Sequence, residues 1–373
     1  MKAITITNQV TEDCNSACEY CYMKCNTRSN SGTYQDINTF ENILKIFGKE
    51  YDTIQILWHG GEPLLPGLEY YKKIYELQKK YKNKVKITNS MQSNGIYLNE
   101  ELLDFLTNKL KMKIGISIDG DREIQNKVRP IKGGRDSFSS SIRKIQLIKR
   151  KKKKIGIYSV ISLANVKYPE RFYKFLNKNR INGCKLEPCF YGEYSQHLVP
   201  TNNEVFYFYK KLFDLWIKNI RKNKINIDPF THIIQFFETK KTTPAFPGKT
   251  CLGGTFCIKV DGTITPCANI IGPKFNFGNI NKIKSTEEIF NNKNFKKLME
   301  KRKKTLEKCE STCKLFSVCG GGCPSHIYSA FGKYDGEYPY CESRANLIVY
   351  IGKRLKEEHE KQKIIQTSTT PLK

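Results

Sequence analysis

Strand-like and helix-like segments alternate six times through the first two thirds of this chain. A strand at 3–10 leads through a cysteine-bearing loop to a helix at 37–49. Strands at 53–58, 85–90, 113–118, 155–161 and 185–188 precede helices at 69–80, from Asn99 onward, 137–151, 169–179 and 202–222. Asn99 is suited to accept from the first free amides of its helix. Six strand–helix units in succession predict an α/β fold with a parallel sheet covered by helices. Each crossover is right-handed, so the units curve into a partial (β/α)6 barrel over residues 1–230. The alternation stops after Phe230, and 242–249 holds two prolines and a glycine. A linker is therefore expected at 231–250. Residues 251–345 form a small cysteine-dense domain short of long helices, and 346–373 a charged helix and polar tail.

Fourteen cysteines in 373 residues would suit a disulfide scaffold only in a short secreted chain. Met1-Lys2-Ala3-Ile4-Thr5 carries no basic-then-apolar signal, and no apolar run is long enough to span a bilayer. A cytoplasmic location is expected, where cysteines serve as metal ligands or reactive groups. Only five histidines are present, without metallohydrolase spacing. The net charge of +28 suggests an acidic partner, but the lysines are spread throughout and the densest run, 149–154, ends an amphipathic helix without interleaved aromatics. That argues against a nucleic-acid interface and for a solvated basic surface.

Cys14, Cys18 and Cys21 read C-x3-C-x2-C directly after the first strand. Three thiolates this close can hold three irons of a [4Fe–4S] cube and leave the fourth open to a substrate or cofactor. A zinc site would want paired cysteines with a fourth ligand. His59-Gly60-Gly61-Glu62-Pro63 ends the second strand, where parallel barrels place their active sites. The glycines admit close approach of a ligand, and Glu62 can pair with a cation. Gly115-Ile116-Ser117-Ile118-Asp119-Gly120 ends the fourth strand, and Ser117 and Asp119 alternate to the same side. Ser93-Asn94-Gly95 follows the third. In the second half, Cys251, Cys257, Gly262-x4-Cys267, Cys309-x3-Cys313-x5-Cys319-x3-Cys323 and Cys341 supply eight cysteines, enough for two fully ligated cubes. Cys257 sits in an apolar strand-like run, where a buried structural thiol is the competing reading. A zinc-ribbon reading of the C-x3-C pairs stays open. Cys25, Cys184 and Cys189 have no ligand-like spacing and are expected to be inert, although Cys189 could face the barrel mouth.

The first cysteine loop with Tyr22 and Gly60-Gly61-Glu62-Pro63 resembles the radical S-adenosylmethionine (radical SAM) enzymes. The second half resembles the SPASM domain, an auxiliary-cluster module of peptide- and protein-modifying members; Cys309-x3-Cys313 is one residue longer than its usual spacing. The resemblance covers residues 3–345. It implies S-adenosylmethionine on the open iron of the Cys14, Cys18, Cys21 cluster. Tyr22, Gly60, Gly61, Glu62, Asn94, Ser117 and Asp119 would bind the cofactor, with Glu62 near its ammonium and Ser117 and Asp119 on its ribose. It also implies one auxiliary cluster on Cys251, Cys257, Cys267 and Cys323 and another on Cys309, Cys313, Cys319 and Cys341, three [4Fe–4S] clusters in all. A 5′-deoxyadenosyl radical would abstract hydrogen from a ribosomally made peptide or protein, with a flavodoxin or ferredoxin as reductant and the enzyme as a monomer away from membranes.

Anaerobic sulfatase-maturating enzymes, which convert Ser or Cys to formylglycine, are similar in length and cysteine order. They carry an Asp base directly after the cysteine of G-x4-C, where this chain has Ala268. The expectation drawn from that departure is oxidation of a precursor peptide, for example to a thioether crosslink. Formylglycine formation is the alternative. An RNA-modifying radical SAM enzyme and a non-catalytic iron–sulfur scaffold are further ones.

Overall fold

The computed structural model describes all residues except 1, 24–30, 135, 193–194, 220–224, 240–245, 247, 249, 271 and 369–373, and the side chains of 273 and 358–368. Cys25 lies outside the described residues. Six βα units follow one another: β1 (Ala3–Gln9) and α1 (Ile37–Phe47), β2 (Thr53–His59) and α2 (Gly67–Tyr81), β3 (Lys86–Ser93) and α3 (Glu100–Asn108). Then come β4 (Lys113–Ser117) with α4 (Arg122–Val128) and α5 (Ser137–Arg150), β5 (Gly156–Ile161) with α6 (Pro169–Lys178), and β6 (Gly183–Pro188) with α7 (Asn202–Asn219). Side chains cap these helices: Asn99, as expected, and also Asp36, Asp121 and Asp136 each accept from an amide of the first turn.

Period-two alternation decides what faces where. Ile4 and Ile6, Ile54 and Ile56, and Ile114 and Ile116 are buried against the helices. Their neighbours Thr7, Leu57, Ser90 and Gly115 line the barrel's interior. Gly115, Gly156 and Gly183 pair in one row across β4, β5 and β6. No atom stands within 3.5 Å of where a Cβ would sit on any of them, so this row leaves the lumen open.

The sheet does not end with the sixth unit. β7 (Asn226–Asp228) pairs with β6, and α8 (Phe230–Thr239) occupies the segment expected as linker. After the turn α9 (Cys251–Gly254), β8 (Thr255–Ile258) pairs parallel to the free side of β1 and antiparallel to β9 (Ile264–Thr265). The strand order is β7-β6-β5-β4-β3-β2-β1-β8-β9.

The cysteine-rich part continues with α10 (Glu287–Asn291), α11 (Lys293–Thr312), α12 (Phe316–Cys319), α13 (Pro324–Phe331) and α14 (Cys341–Ser368). The 20-residue α11 corrects the expectation that this part lacks long helices. Its lysine-rich face masks a buried stripe, Phe295, Leu298, Arg302 and Thr305, at three- and four-residue spacing. The C-terminal helix packs on α7, where Tyr350 donates to Asp214 at 2.5 Å. No described helix is long and apolar enough to cross a membrane.

Candidate active site

The loop after β1 is held at three points. Gly61 N–H donates to Thr11 O and Glu62 N–H to Asp13 O, both at 2.7 Å. A Cβ on Gly61 would stand 1.9 Å from Asp13 O, so the second glycine exists to let β2's end press on the cysteine loop. On the other flank, Ala17 N–H donates to Pro130 O at 2.8 Å and Glu19 N–H to Val128 O at 3.0 Å. Asp13 accepts from the amides of Ser31 and Gly32 at 2.8 and 2.6 Å, closing the far side.

Cys14, Cys18 and Cys21 thereby line part of a cavity of about 1060 Å³ that runs through the barrel. Burial pushes the Cys18 thiol up to about 11, with Arg129 pulling partly back. A thiolate in such a place needs a metal's positive charge to be stable, as an iron cluster would supply. Tyr22, Gly60, Gly61, Glu62, Asn94 and Ser117 line the same cavity. Asn94 donates to Asn15 Oδ1 at 2.7 Å and to Ser16 Oγ at 3.0 Å, tying the third strand's turn to the loop. Glu62 accepts from Leu64 N–H, Ser93 Oγ and Asn94 N–H at 2.7–3.0 Å. These occupy three of a carboxylate's four acceptor positions and leave one on Oε2 for an ammonium group.

Asp119 departs from its expected place. It is fully buried and does not line the cavity. One carboxylate oxygen accepts from Val160 N–H and the other from Arg129 Nε, both at 2.9 Å, and Tyr20 Oη donates to the latter as well. Strand alternation had placed it beside Ser117. β4 ends at Ser117, and the following residues turn Asp119 across to β5. The group that reaches the cavity in its stead is Arg129, whose Nη1 stands 3.9 Å from Cys18 Sγ. Arg129 follows α4, a helix that sequence periodicity did not reveal because it spans only seven residues.

Another part of the cavity is lined by Cys251, Cys267, Ala268 and Cys323. The thiols of Cys251 and Cys323 each push that of Cys267 upward, on top of its burial, and Cys257 does so more weakly. Burial and then the thiols of Cys319 and Cys313 raise Cys309, and burial, Glu337 and then Cys319 and Cys309 raise Cys341. Cys257 is fully buried in β8 and does not reach the cavity; its thiol is raised to about 12 by burial. The extra residue in Cys309-x3-Cys313 is one turn of helix: Cys309 lies in the last turn of α11, and Cys313 N–H donates to its carbonyl at 2.9 Å. Residues four apart share a helix face, so the insertion leaves both thiols on one side. Among the described residues, no three Cys, His, Asp or Glu groups form a site for a single metal ion.

Between the two sets sits Arg302, buried, donating to the carbonyls of Gly321 and Gly322 at 3.1 and 2.9 Å. It feels the thiols of Cys251, Cys323, Cys309 and Cys319. Gly320, Gly321 and Gly322 all take φ near +70°, a conformation that costs only glycine little, and the last two turn their carbonyls to it.

An aromatic wall joins the two parts. Tyr22 stacks on His59 at 6.3 Å and meets Phe190 at 6.4 Å; Phe190 stacks on His326 at 4.7 Å, and His326 on Tyr338 at 5.8 Å. β6 contributes Lys185 and Glu187 to the cavity, 3.5 Å apart. Neither these two nor Arg129 and Arg302 carry a motif that the sequence could have flagged. Cys189 lines the cavity and its thiol is raised to about 12 by burial, whereas Cys184 packs in the core.

Residues 8–176 match the model of the radical SAM superfamily, and residues 251–314 match that of an iron–sulfur cluster-binding domain, SPASM. A cysteine-type anaerobic sulfatase-maturating enzyme of Clostridium perfringens is 30% identical over 358 residues, covering 92% of this chain and 94% of that protein. A serine-type anaerobic sulfatase-maturating enzyme of Bacteroides thetaiotaomicron is 27% identical over 350 residues, covering 87% and 82%. A solved structure, native anSMEcpe with bound AdoMet, superposes with a TM-score of 0.84 at 27% identity, covering 95% of this chain and 98% of that one. Streptococcus suis SuiB bound to S-adenosylmethionine shares the fold at a TM-score of 0.63 and 16% identity, covering 87% and 74%.

Proposed function

Because this chain belongs to the radical SAM enzymes with a C-terminal SPASM domain, in the family of the anaerobic sulfatase-maturating enzymes, we propose that it oxidises a cysteine of a protein substrate to formylglycine. The domains bind [4Fe–4S] clusters and S-adenosylmethionine. Together these supply a 5′-deoxyadenosyl radical that removes a substrate hydrogen.

The observation that carries the reading is likeness along the whole chain to a cysteine-type enzyme, 30% identical and 94% covered. It moves the weight from the crosslinked precursor peptide, expected from Ala268, to formylglycine. The cavity supports it, since a peptide side chain entering between the first cysteine loop and Cys267 lies near both cysteine sets. The residues divide the work. Cys14, Cys18 and Cys21 would hold the first cluster, and Glu62, Asn94, Ser117 and Arg129 would position S-adenosylmethionine. Cys251, Cys257, Cys267 and Cys323, and Cys309, Cys313, Cys319 and Cys341, would hold two auxiliary clusters. The aromatic wall that lines the cavity, Tyr22, His59, Phe190 and His326, would keep bulk water from the reacting carbon. A flavodoxin or ferredoxin supplies the reducing electron.

Anaerobically reconstituted protein should contain about twelve irons by three-cube arithmetic. It should convert the cysteine of a sulfatase-type peptide to an aldehyde, read by mass spectrometry. Ala268 favours a second reading, a thioether crosslink in a precursor peptide. Offering both peptides decides: loss of two hydrogens and one alkylatable thiol from the precursor, with the sulfatase peptide untouched, overturns formylglycine. No conversion of either peptide, and tRNA binding that weakens steeply with salt, would point to RNA instead.

A further inference from the structure

Forming an aldehyde from a cysteine requires a proton acceptor for the thiol, and the residue after Cys267 cannot be one. Ala268 lines the cavity with a methyl group. Its neighbour Asn269, also in the cavity wall, is neutral.

Another stretch of the wall carries what this one lacks. β6 presents Lys185 and Glu187 to the lumen two residues apart, the spacing that puts alternate side chains on one face. Lys185 Nζ stands 3.5 Å from Glu187 Oε1. Lys185 is exposed, and its exposure is to the cavity it lines. Its neighbours place the pair toward Cys251 and Cys323, with Tyr22 of the first loop also within electrostatic reach of Tyr158 beside it. Tyr158 feels Glu187, Tyr22 and Cys323 together, and Lys185 feels Glu187 and Cys323. Burial works against the Lys185 ammonium, and Glu187 and Asp228 more than restore it. The pair is thus a carboxyl group with an adjacent cation, inside the cavity and toward its Cys251 and Cys323 side.

We propose that Glu187 is the proton acceptor of the reaction, with Lys185 as its positioning partner, in place of the carboxylate that position 268 lacks. This rests on the formylglycine reading. The Cβ hydrogen atom passes to the 5′-deoxyadenosyl radical, and the thiol proton passes to Glu187. One electron passes to an oxidised auxiliary cluster, and a C=S bond forms from the Cβ–S bond. Water then replaces sulfur, giving the aldehyde and hydrogen sulfide. The auxiliary cluster would pass that electron on to the first cluster, which needs one for the next cleavage of S-adenosylmethionine, and Glu187 releases its proton to water.

The test compares wild type, Glu187→Gln, Ala268→Asp and the double variant on one cysteine-containing sulfatase-type peptide. Glu187→Gln should lower aldehyde formation by about 10²–10⁴, the usual worth of a positioned base. Hydrogen transfer from a Cβ-deuterated peptide into 5′-deoxyadenosine should persist, and the peptide's dissociation constant, measured by fluorescence anisotropy, should change less than about threefold. Adding Ala268→Asp to Glu187→Gln should restore at least a tenth of the aldehyde rate. Wild-type rates in Glu187→Gln overturn the proposal, as does a rate loss matched by lost peptide binding. If Glu187→Gln loses its iron or its fold, Glu187→Asp replaces it: the proposal then requires the aldehyde rate to fall with binding kept, and an unchanged rate refutes it. If wild type makes no aldehyde from the peptide, the formylglycine reading itself fails, a result separate from all of these.

Discussion

Gly61→Ala tests whether the glycines after β2 serve the cysteine loop. The added methyl would stand 1.9 Å from Asp13 O, 2.5 Å from Asp13 C and 2.7 Å from Glu12 O, all backbone atoms. Real Cβ atoms stay beyond 3.0 Å, so the two segments must part by about 1 Å. The two 2.7 Å backbone bonds that join them, Gly61 to Thr11 and Glu62 to Asp13, lie on the line of separation. Losing both costs roughly 1–3 kcal/mol, since each is worth about 0.5–1.5 kcal/mol. Overpacking adds about 1–3 kcal/mol. A total of roughly 2–6 kcal/mol falls next to Cys14, the first ligand of the first cluster. The variant should therefore lose cleavage of S-adenosylmethionine and the iron of the first cluster, about four of twelve atoms by cube arithmetic, while the auxiliary irons remain. Iron analysis, low-temperature electron paramagnetic resonance and 5′-deoxyadenosine formation read this out. Wild-type cleavage with an unchanged unfolding midpoint would refute the packing argument.

Asp119→Asn removes the anion that faces Arg129 and Tyr20 in a fully buried place. Leaving a buried cation unpaired costs about 3–5 kcal/mol, so the denaturant midpoint should drop accordingly, and a loss below about 1 kcal/mol would contradict the burial. Burial, helped by the Arg344 charge, holds His326 down to about 3, far below the 6.5 of an unfolded chain. The unfolded state thus binds the extra proton, and the stability this histidine confers is complete above about pH 6.5 and lost as pH falls toward 3. Between pH 7 and 5 the loss is about 2 kcal/mol. Urea unfolding of His326→Gln should show a pH dependence smaller by that amount, and equal slopes would mean that the ring is hydrated.

Most of the fold is legible because it rests on period: the isoleucines of β1, β2 and β4 alternate with small or polar residues, and turn signals punctuate them. The first cysteine loop and Gly60-Gly61-Glu62 are legible because they are contiguous. What the sequence hides depends on where chains meet. Asp119 looked like a cavity residue because strand alternation was carried two residues beyond the strand's end. Arg129, Arg302 and Glu187 are single residues with ordinary neighbours, and only the turn after α4, the glycine carbonyls and the register of β6 give them a place. The helix α11 was hidden because its lysines outweigh its four-residue stripe. The helix α8 falls in the expected linker because the strand–helix alternation stops at Phe230 and only Phe230 and Ile233 of its ten residues are buried.

The pairing of β8 with β1 sets an order of events in synthesis. Thr255 lies beside Thr5, so the strand that carries the first cysteine loop waits for 250 further residues before both its sides are paired. Pairings across such separations are slow, because the closure of a long loop precedes the contacts that reward it. Until the last third emerges, β1 is an open edge, the kind of edge that recruits other chains. During the same interval the thiols of Cys14, Cys18 and Cys21 stand at the open side of the nascent barrel. The C-terminal third therefore acts as a latch on the first: the iron of the first loop is best delivered before it closes, and a ribosome that stalls short of Cys257 leaves a sticky, half-walled barrel.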